Sequence, residues 1–351
     1  MAMTSDTVPQ QEIPVMLERL QPANNNLLIP DIGYSHRHLA DDVHEALVFH
    51  ENFLKTVKMN FERGLHDVPV PEWAPRLLRK KGVAAAVIEK AGSLTFTKRR
   101  PDDTAAFLRH VQACCDRQAP LLFRVAFGPL KNVNCCGGCQ APDLAEYLTV
   151  IQLARFMAAI APLYPHGVKI QLVPDDLRAR KANLCCETMT RTYITGLRHL
   201  VRSLAFGDWI EVEDGEARLY RHYRVPDYHQ AAEARLQAWK ESDPESYAMK
   251  WQSAVENADK NLSRSLPGDR ADAVSAAARR YLAAHQAEIL SGMWSPQDAF
   301  PLIFANHPNT YQIYSLGHKK SKLPWQICLP VSLLDRTSLK SALSVFFRGI
   351  M

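Results

Sequence analysis

The chain has 351 residues, 47% of them hydrophobic and 23% charged, with a formal net charge of +5. That is enough chain for a large core in one elaborated domain or two, and the balance is globular rather than disordered or fibrous. The mild positive charge suits a small anion and argues against nucleic acid as partner. No apolar run reads as a membrane span of roughly 20 residues, and no basic-then-apolar leader opens the chain. Eight cysteines in a chain of this size point to reduced thiols in the cytoplasm, not to a disulfide framework.

Residues 1–30, rich in Pro, Gln and Asn, are expected to form a mobile arm. Between His36 and Arg63 the apolar spacing is helical. His44-Glu45 and His50-Glu51 look metal-like there, but their offset puts them on different sides of a helix, so exposed histidines are the simpler reading. Residues 73–98 predict a helix and then a short strand at 94–97, followed by Lys98-Arg99-Arg100, which could take an anion or simply be a solvated turn. Residues 104–117 predict another helix.

Residues 120–187 are the centre of the chain. An apolar run, 120–127, is followed by a Gly-Pro turn and then Lys131-Asn-Val-Asn-Cys-Cys-Gly-Gly-Cys139. Pro142-Asp143 opens a long apolar-periodic helix to Tyr164, and a second run, 168–173, ends at Pro174-Asp175-Asp176. Strand, helix and parallel strand predict a right-handed crossover whose post-strand loops share one edge of the sheet, where ligands bind. A further helix is expected over 182–204, and Glu213-Asp-Gly215 between two short runs reads as a hairpin. Residues 228–290 predict about three helices broken at Asp243-Pro244 and Pro267-Gly268. Late strands are expected at 311–316 and 325–329. The predicted class is α/β, a mainly parallel, Rossmann-like sheet flanked by helices with a helical C-terminal elaboration. The core domain is assigned to 31–225, and 226–351 to helices with late strands that complete the site.

Several groups carry chemistry at the sheet edge. Lys131 is either an exposed loop lysine or the partner of an anionic group, and Asn134 can orient an oxygen. Asp143 and Glu146 have the spacing of a capping box, which explains both without chemistry, though Glu146 could also move protons. Asp175 and Asp176, with Arg178 close behind, suit an amine and an anion together. His318 follows a late strand. Arg124 lies within the first apolar run. Cys136 and Cys139 form a Cys-x-x-Cys, and Cys185-Cys186 is an adjacent pair poorly placed to complete tetrahedral zinc, so no metal is expected.

The order Lys131…Asn134, Pro142-Asp-Leu-Ala-Glu146, Tyr164-Pro165-x-Gly167 and Asp175 resembles the pyoverdine/dityrosine biosynthesis family, which includes the isocyanide (isonitrile) synthases. The likeness covers roughly 105–205 and, weakly, the surroundings of His318. The chain departs from the family pattern in a longer first motif, in Val133 for Pro, in Pro174-Asp175-Asp176 for Ser-Asp-Gly, and in Tyr314 for an Arg. The resemblance implies a transferase or lyase that condenses an amino acid's amine with ribulose 5-phosphate and eliminates the sugar remnant. It needs no cofactor. It implies catalytic roles for Lys131, Glu146, Asp175 and His318, and substrate contacts from Asn134, Arg124, Arg178 and Asp176. Lys131 and Arg178 would meet the anion. A relative with a different amino-acid chemistry and thiol help, or a zinc- or metabolite-binding module, stays open. So does the oligomeric state, a homodimer included.

Overall fold

The computed structural model describes residues 71–95, 97–131, 141–181, 185–215, 225–262, 268–290, 299–304, 310–316 and 323–326, with Glu45, Ala46, Val48 and Asn52. Among these, six strands form one sheet: β1 (Thr97–Arg99), β2 (Leu121–Phe127), β3 (Val168–Pro174), β4 (Ile210–Val212), β5 (Phe300–Ile303) and β6 (Tyr311–Ile313). Their order is β1-β6-β5-β2-β3-β4. β2 pairs in parallel with β3 along its whole length, Leu121 opposite Val168 through Phe127 opposite Pro174, and on its other side with β5. β3 with β4 and β5 with β6 are also parallel, while β1 closes the edge antiparallel to β6.

Strands covered on both faces should be apolar runs rather than alternating ones. β2 and β3 fit: nearly every residue in them is buried. Phe107, Phe123, Phe156, Phe300 and Tyr311 form an aromatic knot on one face, with centroid separations of 4.6–5.2 Å. Phe107 comes from α3 (Ala105–Asp116) and Phe156 from α4 (Leu144–Ile160). The predicted helix at 73–98 is two helices, α1 (Trp73–Lys81) and α2 (Val83–Ser93), because Gly82 takes φ 76° between them. α5 (Asp176–Lys181) follows β3, and α6 (Glu187–Ser203) leads to β4.

The stretch 144–163, which includes α4, is long and apolar enough to cross a bilayer by length and composition, contrary to the expectation that no run is. Here most of it is buried inside the protein, where an all-round apolar helix belongs in a core. The link from β4 to β5 is helical: α7 (Val225–Ser242), α8 (Pro244–Asn261) and α9 (Arg270–Leu290). The break at Asp243-Pro244 is as predicted, with the Asp243 side chain capping α8 through the Ser246 N–H. These helices share a second apolar cluster, Leu236, Ala254, Ala258, Leu262, Val274, Ala277, Ala278 and Leu282.

The strand expected at 94–97 is seen at Thr97–Arg99 instead. Residues 324–326 form a 3-10 turn, not the start of a strand. After Glu213-Asp-Gly215, residues 216–224 lie outside those described, so the hairpin reading does too, and the described partner of β4 is β3. β5, at 300–303, was not predicted: it is four residues long and contains Pro301, which ordinarily argues against a strand between two others.

Candidate active site at the C-terminal sheet edge

Asp143 and Glu146 form the capping box the spacing predicts. The Asp143 carboxylate accepts from the Ala145 N–H at 2.8 Å, and Glu146 Oε2 accepts from the Asp143 N–H at 2.8 Å. The structure adds a cation. Lys131, four residues past the end of β2, is not an exposed loop lysine; it is 0% exposed. Its Nζ lies 2.9 Å from Asp143 Oδ1, 2.7 Å from Glu146 Oε2 and 2.9 Å from the Pro324 carbonyl oxygen. Three acceptors match the three donors of an ammonium. Tyr193 of α6 donates its hydroxyl to Glu146 Oε1 at 2.7 Å. One buried network thus ties the end of β2, the start of α4, the middle of α6 and the 324–326 turn.

Burial alone would lower the Lys131 pKa, but the carboxylates of Asp143 and Glu146 outweigh it and hold the amine protonated, above the usual lysine value. Burial pushes the Glu146 carboxyl up, against the pull of the Lys131 ammonium. Its contacts given above are all donors, so the ionised form is the one this geometry serves.

Asp175 and Asp176 follow β3 at the same edge as Lys131. The Asp175 N–H donates to the Phe127 carbonyl at 2.9 Å, extending the β2–β3 ladder past its last pair. Asp176 is buried and hydrogen-bonds Asp214, which follows β4 and is exposed. Burial first, and then the Asp214 charge, raise Asp176 to about 7. The two loops are packed tightly: a Cβ on Gly215 would overlap the Pro174 carbonyl and sit 2.9 Å from Asp176 Oδ1. Arg180 Nη2 is 3.8 Å from Asp176 Oδ2.

The structure therefore brings Lys131, Glu146, Asp175 and Asp176 to one edge. Arg178 falls in α5, at that edge too. Arg124 sits three residues short of it, mid-strand and buried, with Nε 2.9 Å from Gln171 Oε1 of the neighbouring strand. Asn134, His318, Cys136 and Cys139 lie outside the described residues, as do His44 and His50. Among the described residues no group of three or more His, Cys, Asp or Glu could hold a metal. Cys185 and Cys186 differ: burial raises the first to about 11, while hydrogen bonds from Thr188 and Met189 lower the exposed second.

Sequence reading missed Asp214, Tyr193 and Trp325. Asp214 had a usable signal, since it follows the run 209–212 as Asp175 follows 168–173. Tyr193 had none beyond its place on an amphipathic helix, and Trp325 was read as strand.

No protein-family model and no curated relative matches the chain. Among solved structures, it is similar to the PvcA protein from Pseudomonas aeruginosa, at 18% sequence identity and a TM-score of 0.54, over 70% of this chain and 87% of that one. The chain shares with PvcA an α/β fold.

Proposed function

We propose that the chain is a biosynthetic enzyme that modifies an amino acid in the manner of an isocyanide synthase. The observation that carries this reading is the fold shared with PvcA across most of both chains. The motif residues Lys131, Glu146 and Asp175 at one sheet edge lend it support. We read the sheet as Rossmann-like: taken in chain order, its parallel strands run 3-2-1-4-5 from β4 to β6, an order that favours ligand entry at the C-terminal edge.

On this reading the substrate's amine adds to the ketone of ribulose 5-phosphate and water leaves to give an imine. Successive eliminations then release the sugar remnant and leave the carbon on nitrogen. Asp175 holds the amine or takes its proton. Asp176, whose carboxyl is raised to about 7, supplies acid to a departing oxygen. Arg178 and Arg180 meet the phosphate, because the Lys131 ammonium is committed to carboxylates. The family resemblance adds a substrate contact from Asn134 and acid–base chemistry from His318.

One observation favours a second reading, a different amino-acid modification. The family pattern has Gly where this chain has Asp176, and that carboxyl is engaged with Asp214. Incubating the protein with pooled amino acids and ribulose 5-phosphate, followed by mass spectrometry, separates the two. An isonitrile is the expected product. A different amino-acid product would favour the second reading, and no product from folded protein would count against both.

A further inference from the structure

The strand order reverses between β2 and β5, and at such a reversal the C-terminal ends of the strands open a crevice. Trp325 stands at that place. Its ring centroid is 5.1 Å from Phe127, the last residue of β2, and 6.2 Å from Phe304, the first residue past β5. Two independent features seat it. Gly128 leaves the space the indole fills, since a Cβ there would overlap the ring. Lys131, anchored by Asp143 and Glu146, donates to the carbonyl of Pro324, the residue just before the tryptophan. The side chain on this seat remains only half-buried.

A buried ammonium is costly unless fully paired. Here its third bond fixes one peptide of the short 324–326 turn. The same turn packs on α4, whose N-terminus carries the two carboxylates. Charge network and aromatic seat therefore converge on a single ring at the mouth of the crevice.

We propose that Trp325 is the wall of the β2–β5 crevice and sets the size of substrate side chain admitted there, with Lys131 and Gly128 as its positioning residues. This rests on the reading of the C-terminal sheet edge as the substrate site. Lys131 acts through the Pro324–Gln326 turn and does not touch the substrate itself.

The test uses the full chain labelled with 5-fluorotryptophan, which gives six ¹⁹F resonances, one per tryptophan. The Trp325 resonance is assigned by its loss in Trp325→Phe. In Gly128→Ala and in Lys131→Met that resonance should move by more than its linewidth while the other five stay. Lys131→Met strands two buried carboxylates and can cost the fold; Gly128→Ala disturbs the seat without touching a charge, and decides alone in that case. A Trp325 resonance unmoved in folded Gly128→Ala overturns the positioning. Single L-amino acids are then titrated into wild-type protein in the presence of ribulose 5-phosphate, with product read in parallel by mass spectrometry. The wall predicts that the amino acids giving product also move the Trp325 resonance, and that Trp325→Ala shifts relative kcat/KM toward bulkier side chains by about tenfold. Product without any response at Trp325 overturns the wall and leaves the proposed function standing. Absence of both product and response overturns the two together.

Discussion

The hydroxyl of Tyr193 donates into a buried network that also holds an ammonium, two carboxylates, backbone N–H groups and the Pro324 carbonyl. Removing it leaves Glu146 Oε1 without that donor in the interior, so Tyr193→Phe should lower stability by about 1.5–3 kcal/mol, the scale for a hydrogen bond to a charged group, read from urea unfolding. Asp176 gives a pH signature. Its folded pKa of about 7 lies above the ordinary 3.8, so the folded state binds the extra proton between those values. The stabilisation is complete below about pH 4 and is lost as the pH rises through about 7, by on the order of a few kcal/mol. Melting temperature followed across pH 4 to 8 should fall more steeply for wild type than for Asp176→Asn; equal slopes would contradict the burial of that carboxyl. The adjacent thiols should separate under limiting iodoacetamide, Cys186 being alkylated well before Cys185. At this scale the sequence was half legible. The capping box of Asp143 and Glu146 is local, three residues apart, and could be read directly. The burial of Lys131 depends on Pro324, nearly two hundred residues away, and no spacing rule reaches that far.

Among the elements, those with a long uninterrupted period were readable and the short ones were not. α3, α4, α6 and the three helices α7 to α9 follow from apolar spacing and from breaks at Asp243-Pro244 and Gly268. β2 and β3 follow from buried seven-residue runs. β5 has four residues and a proline, and it is held by its neighbours more than by its own propensity: Phe300 is gripped by Phe107, Phe123 and Tyr311. Phe300→Ala should therefore cost about 3–5 kcal/mol, far more than a strand of that length suggests, and chemical denaturation will show whether it does. The cap of α8 is a milder case. Asp243→Ala removes the 3.1 Å contact to the Ser246 N–H and should cost about 1 kcal/mol.

For the whole molecule, the class predicted from the alternation of strands and helices, α/β, is the class observed. The strand order was not legible, because it depends on where β5 and β6 return after the helical excursion of α7 to α9. That return places the second half of the chain against the first: Phe123 of β2 lies opposite Phe300 of β5. During synthesis, β2 and β3 leave the ribosome long before the strand that must cover the open side of β2. At elongation rates of about 5–20 residues per second, that interval is on the order of ten seconds or more. For all of it, a twice-buried apolar strand presents a bare edge, an invitation to pair with another nascent chain. Production of this protein should accordingly be limited by the fate of unfinished chains, and its soluble yield should depend on holdase chaperones and on translation speed more than on the melting temperature of the finished molecule.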